Sequence, residues 1–171
     1  MDLFLDTCII ISYHIPCHPR HKKVLNFYNN NNINSQITCK KVERELSRKL
    51  NKILMEFKKS NSISGLEERK VRHAISIFFR KIQSQDFSIL DSFLFNDLEI
   101  DLRKVIKNWD DREVFSNAVL WCYYHKPNNP TFLTLDKNDY HNILGIKGAV
   151  YNCLSKNNVS LHKQLDIFLL L

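Results

Sequence analysis

The sequence predicts an α/β fold of three layers, α/β/α, on a central, mostly parallel sheet of about five strands with a helical excursion mid-chain. Three observations carry this. Strand-like segments alternate with helix-like ones along most of the 171 residues, as in parallel strands joined by crossover helices. Two short apolar runs, Leu3-Phe4-Leu5-Asp6 and Thr131-Phe132-Leu133-Thr134-Leu135-Asp136, each end on a carboxylate. A strand buried on both faces reads this way, and the chemistry of an open α/β sheet collects at the carboxyl ends of its strands. Finally, residues 46–110 read as almost wholly helical. That stretch is expected beside the sheet, not as a second domain, so 1–171 reads as one domain.

Residues 3–6 are the first strand; Thr7 can cap the next segment, and 8–13 either begin a helix or extend the strand. His14-Ile15-Pro16-Cys17-His18-Pro19 breaks the pattern. Residues 21–28 carry Val24, Leu25 and Tyr28 at helical spacing. Asn29 to Asn32 end that helix, because Asn tolerates left-handed backbone. Residues 33–38 are a second short strand. From Lys40 an amphipathic helix places Val42, Leu46, Leu50, Ile53, Leu54 and Phe57 on its inner stripe.

After a loop at 60–65, residues 66–83 form a second long helix with Val71, Ala74, Ile75, Phe78 and Ile82 inward. Helical pieces are expected at 90–95 and 98–106, and a helix at 112–124 that Asp111 is placed to cap. Pro127-Asn128-Asn129-Pro130 is a turn. Residues 131–135 are a strand, 140–155 a helix despite Gly145 and Gly148, and 159–162 a last strand. The apolar tail Ile167-Phe168-Leu169-Leu170-Leu171 is expected either to complete a sheet edge or to bury in a homodimer.

Composition narrows the function. Lys and Arg outnumber Asp and Glu by 25 to 18, a formal charge of +7 that favours a polyanionic partner such as nucleic acid. Five cysteines, an odd number with no C-x-x-C spacing, argue against a disulfide framework and for a reduced, cytoplasmic setting. Cys8, Cys39, Cys122 and Cys153 read as small core residues. Asp2 and Asp6 interrupt the apolar N-terminus, which is not expected to be a signal peptide, and no apolar run is long enough to span a membrane.

Asp6 and Asp136 end strands; Glu45 and Asp111 lie at or near helix starts. Four carboxylates at one sheet edge would repel one another, and a divalent cation would neutralise them. In order and approximate spacing, Asp6-Thr7, Glu45-Leu46, Asp111 with Ala118, and Thr134-x-Asp136 with Tyr140 resemble the PIN-domain family of metal-dependent nucleases. The resemblance spans nearly the whole chain. It implies a three-layer PIN-like domain and a Mg²⁺- or Mn²⁺-dependent endoribonuclease acting on RNA, with single-stranded RNA as the expected substrate.

The resemblance, with the preference of hard cations for oxygen ligands, assigns Asp6 and Asp136 as direct metal ligands. Asp111 becomes a ligand or a holder of the ion's water. Glu45 binds a second ion or orients the attacking water, and Thr134 and Thr7 hydrogen-bond water or phosphate. Family members include toxins of the VapC type paired with an antitoxin and stand-alone RNA-processing nucleases; both stay open, as does a silent scaffold that holds RNA or a protein. Cys8 stands where the family has a small polar residue, Ser116 and Asn117 are more polar than its Ala-rich helix, and the helical middle is longer than in minimal toxins.

Plainer readings stand beside these. Asp111 could be only a cap, and Glu45 one of a solvated face rich in Lys and Arg. Glu43 rivals Glu45. Asp110 rivals Asp111, although Val114 and Ala118 follow Asp111 by the three and seven residues the family pattern requires. Asp139 could cap the next helix or border the site. His14, Cys17, His18 and His21 are zinc-type ligands, but their spacing fits no familiar zinc module; a surface loop is the plainer reading. Lys40, Lys41, Arg44, Arg48 and Lys49 could guide a phosphate backbone or simply be solvated. Trp109 is a candidate for base stacking, with core packing as its plainer reading.

Overall fold

A computed structural model describes residues 1–170. The chain begins in the middle of its sheet. β1 (Asp2–Leu5) pairs on one side with β2 (Ser35–Cys39) and on the other with β4 (Pro130–Thr134). β3 (Gln83–Gln85) and β5 (Asp166–Leu169) form the edges, giving the order β3-β2-β1-β4-β5. Every pairing is parallel, not merely most of them. The chain lays down β1, β2 and β3 in one direction and then crosses to β4. The direction therefore switches between β1 and β4, the place in an open α/β sheet where ligands gather at the strands' carboxyl ends.

Alternation along β1 and β4 builds two apolar faces. Phe4 and Phe132 lie opposite each other in register and turn toward α6 (Trp109–His125), with ring centroids 5.8 Å from Trp121 and 5.2 Å from Phe115 respectively. α5 (Ser92–Leu102) packs against α6, and α8 (Ile143–Lys156) packs against α5. α1 (Thr7–His14) and α2 (His21–Asn30) cover the other face, where Phe27 meets Phe168 at 5.0 Å. α3 (Lys40–Lys59) and α4 (Gly65–Lys81) pack against α1. The fold is thus α/β/α, with a five-stranded all-parallel sheet between helical layers.

Several elements depart from expectation, each for a local reason. The stretch 8–13 is helical, and its cap is Asp6 rather than Thr7. α2 ends without a left-handed residue: Asn31 is extended, and its side-chain amide donates to the Phe27 carbonyl at 2.7 Å, satisfying a terminal acceptor directly. The helical middle is interrupted by β3, an edge strand too short and too polar to show in the sequence. The two helical pieces expected near 90–106 are one helix, α5, capped by Asp91 after a single 3-10 turn at Phe87–Ile89.

The stretch 140–155 divides into α7 (Lys137–Tyr140) and α8, because the Asn142 side chain accepts from Gly145 N at 3.0 Å and starts a new helix. Residues 159–162 are not a strand. The last strand is β5, so the apolar tail completes the sheet edge, with Leu170 N donating to the Thr134 carbonyl at 2.9 Å; Leu171 lies outside the described residues.

α6 is buried around most of its circumference, which is why Ser116 and Asn117 have partners inside. Ser116 donates to Glu99 at 3.0 Å, and Asn117 accepts from Phe87 N at 2.9 Å, tying the 3-10 turn to the central helix. Among the described residues, no helix is long and apolar enough to cross a membrane.

Candidate metal centre

Both strand-ending acids turn where β1 and β4 give way to helices, so each is held by the start of the next element. The Asp6 carboxylate caps α1, accepting from Thr7 N at 2.6 Å; the positive end of the helix favours its charge. Its other oxygen accepts from Thr134 Oγ1 at 2.6 Å and from the Cys8 thiol at 3.0 Å. Burial pushes the Asp6 carboxyl up, the bonds from Thr134 and Cys8 oppose it, and Glu45 adds to the rise. Asp136 caps α7, with Oδ1 accepting from Asn138 N at 2.8 Å and Asp139 N at 3.3 Å. Thr134 joins the two acids: its hydroxyl donates to Asp6 and accepts from Asp136 N at 3.0 Å.

Asp111 differs. It is not the cap of α6; Asn108 is, accepting from Asp110 N at 3.0 Å. Asp111 sits in the first turn, 6% exposed, and its buried Oδ2 has no hydrogen-bond partner among the described residues. Burial, then the charges of Asp6, Asp136, Asp139 and Glu45, push its carboxyl up to about 8. Tyr140, fully buried, donates its hydroxyl to the Asp111 backbone carbonyl at 3.0 Å and fixes this turn against α7. The rival Asp110 is half-buried and ion-paired to Lys41 at 2.6 Å, so its charge is already matched.

Carboxylate oxygens of Asp111, Asp136 and Asp139 lie within 4.8 Å of one another, the one such group of metal-ligand types among the described residues. Asp139 is thus in the site as well as tied to the chain before α6, where its Oδ1 accepts from Lys107 N and Asn108 N at 3.0 Å each. Asp6 and Glu45 are not members of this trio; they border it through hydrogen bonds and charge. Glu45, 4% exposed, accepts from Thr7 Oγ1 at 2.5 Å and pairs with Lys49 at 2.5 Å. Burial depresses the Lys49 ammonium, but its bond to Glu45 and the charges of Glu45, Asp6 and Asp111 hold it above its ordinary value. Glu43, by contrast, faces outward to Lys40 and Ser84.

The trio fits a hard cation. Its donors are all oxygen, one of them buried and unpartnered, and like charges this close need a positive neighbour.

Two expectations are corrected, for Cys8 and Trp109, and the histidine cluster is placed. Cys8 is not a simple core residue: it donates to Asp6 and accepts from Leu135 N at 3.1 Å, and burial followed by the Asp6 charge keeps its thiol protonated well above the ordinary range. Trp109 is 60% exposed rather than packed in the core. His14, Cys17, His18 and His21 form no metal group among the described residues. His18 Nδ1 accepts from Arg20 N, His21 bonds the Ser12 carbonyl, and His14 packs against Phe78.

In the sequence, Tyr140 stands out only as the motif's aromatic and Asp139 only as a cap or border of the site; neither the hydroxyl bond to Asp111 nor the carboxylate group shows there. Lys49 is hidden in a basic helix, its i, i+4 spacing from Glu45 being the available signal.

Thr134→Val should destabilise the protein by about 1–3 kcal/mol, because a buried carboxylate and a backbone N–H lose their partner together. Thr134→Ser should recover most of that loss. Urea denaturation of the two variants checks this; equal losses in both would mean that the methyl packing of Thr134, not its hydroxyl, is what matters.

Compared with protein-family models, with curated proteins and with solved structures, the chain has no significant match.

Proposed function

We propose that this chain is a PIN-like endoribonuclease that hydrolyses phosphodiester bonds of single-stranded RNA with Mg²⁺ or Mn²⁺ held by Asp111, Asp136 and Asp139. The observation that carries the reading is Asp111. A carboxylate that faces other acids and has one buried oxygen unpartnered among the described residues costs stability unless a cation completes it. The order of the acidic motifs and the all-parallel sheet with its switch point at β1 and β4 support the same reading.

Bound there, the ion supplies charge neutralisation at the phosphate and an activated water. The chain's own residues set the stage. Thr134 fixes Asp6 and the backbone of Asp136 in one geometry, and Tyr140 fixes the Asp111 turn. Thr7 holds Glu45, whose other oxygen carries the Lys49 ammonium, a cation available to a phosphate that approaches the acids. Arg44 and Arg48 on the same helix extend this positive edge.

The test is cleavage of a mixed-sequence single-stranded RNA with Mn²⁺, with Mg²⁺ and with EDTA. Cutting is expected with either ion and none with EDTA. Asp136→Asn should slow it on the order of a hundredfold or more, since a group placed for transition-state charge is removed. No cutting by folded, metal-loaded wild type would sink the proposal in favour of a silent RNA-binding scaffold. That second reading draws on Lys49, which offsets part of the acidic charge without any metal.

A further inference from the structure

We propose that Trp109 is a stacking platform for one base of single-stranded RNA, beside the phosphate that the acidic centre acts on; the position of that phosphate rests on the nuclease reading above. Trp109 is the first residue of α6, two positions before Asp111. It is 60% exposed, whereas the chain's other tryptophan, Trp121, is 3% exposed in the core. An indole left in water is apolar surface without a partner, and this one is held in place. The Lys41 ammonium sits 4.4 Å from its ring centroid. That ammonium is itself pinned at 2.6 Å to both Asp110 and Glu113, with its side chain 11% exposed. The ring is therefore braced from one side by a cation that cannot swing away, and most of it remains open.

The surroundings say what covers it. Arg44 reaches Glu113 at 3.7 Å with 66% of its side chain exposed, Arg48 and Lys49 act on the charge of Asp110, and Lys49 also acts on Asp111. A platform beside a row of cations and a group of carboxylates suits a strand that carries phosphates and bases alternately. Cations take the backbone, the indole takes a base face, and the flanking phosphate is delivered to the carboxylates. A duplexed base has both faces already stacked, so the platform selects single strands. An apolar protein surface would instead have to cover the charged side chains of Arg44, Arg48 and Lys49, of which Arg44 is 66% and Lys49 53% exposed.

The experiment titrates a short single-stranded RNA, and separately its blunt duplex, into Asp136→Asn protein with Mn²⁺, reading tryptophan emission and anisotropy of labelled RNA. The single strand should quench emission and the duplex should not. Adding Trp109→Phe should remove the quench, leaving the unresponsive Trp121, while keeping most of the affinity, since a phenyl ring still stacks. Trp109→Ala should weaken single-strand binding by roughly tenfold to a hundredfold, with the unfolding midpoint unchanged. Absence of quenching, equal quenching by duplex, or unchanged affinity of the Ala variant would each overturn the platform. Should Trp109→Ala fail to fold, the quench and the Phe variant still decide. Quenching by single strands that wild type never cuts would leave the platform standing and remove the nuclease. Normal cutting by Trp109→Ala with unchanged affinity would do the reverse.

Discussion

Asp111→Asn should melt at a higher temperature than wild type in EDTA at pH 8, and should cut RNA on the order of a hundredfold or more slowly with Mn²⁺. Both effects come from one buried oxygen. Burial and four neighbouring carboxylates hold the Asp111 carboxyl up to about 8, far above the unfolded value. The unfolded chain therefore releases this proton first as pH rises, and binds fewer protons than the folded chain between about pH 4 and pH 8. Stability of the metal-free wild type falls across that window, by at most about 1.4 kcal/mol per pH unit from this group, and levels off above it. Asparagine cannot ionise, and its amide can donate to Asp136 or Asp139, so the variant escapes the loss.

Melting curves in EDTA at pH 5 and pH 8 check the sign. A wild type that loses no more than the variant between those values would show that Asp111 ionises freely. Mn²⁺ replaces the proton, so it should raise the wild-type midpoint more at pH 8 than at pH 6. The variant should gain little at either pH, because Asp136 and Asp139 alone are an incomplete set.

Phe132→Ala should cost about 3–5 kcal/mol, the range for removing a fully buried aromatic side chain. Phe132 is 0% exposed in β4, with ring centroids 5.0 Å from Tyr140, 5.2 Å from Phe115 and 6.1 Å from Phe4. Its neighbours are rigid rings on three different elements, so little can collapse into the space. Tyr140 would lose its support, and with it the hydrogen bond that fixes the turn of Asp111. Urea denaturation measures the loss. Phe93→Ala provides the contrast: with Phe93 76% exposed, a change within about 0.5 kcal/mol is expected. Similar losses at both positions would contradict the packing described for the ring cluster.

The long apolar runs and strong periodicities are legible in the chain alone. β1, β4 and α3 declare themselves because a buried strand and a helix with an apolar stripe impose local patterns. β3 is not legible, since three polar residues at a sheet edge carry no pattern; only pairing with β2 makes them a strand. The last strand falls a few residues away from its expected place for a similar reason. The stretches around 159–162 and 166–169 are both short and partly apolar, and pairing with β4 chooses the second. Helix breaks at Asn108 and Asn142 depend on which nearby side chain captures a free N–H, a competition settled by packing.

The candidate site divides along the same line. Chain order alone nominates Asp6, Glu45, Asp111, Thr134 and Asp136, because acids at strand ends and helix starts are local features. Their division of labour is not local. The fold makes Asp6 and Asp136 caps, gives Glu45 a lysine, adds Asp139 to the group and leaves one buried oxygen of Asp111 without a partner among the described residues. A carboxylate's identity is written in one residue, but its charge state and its task depend on burial and on neighbours far away in the chain, which exist only once the sheet has closed.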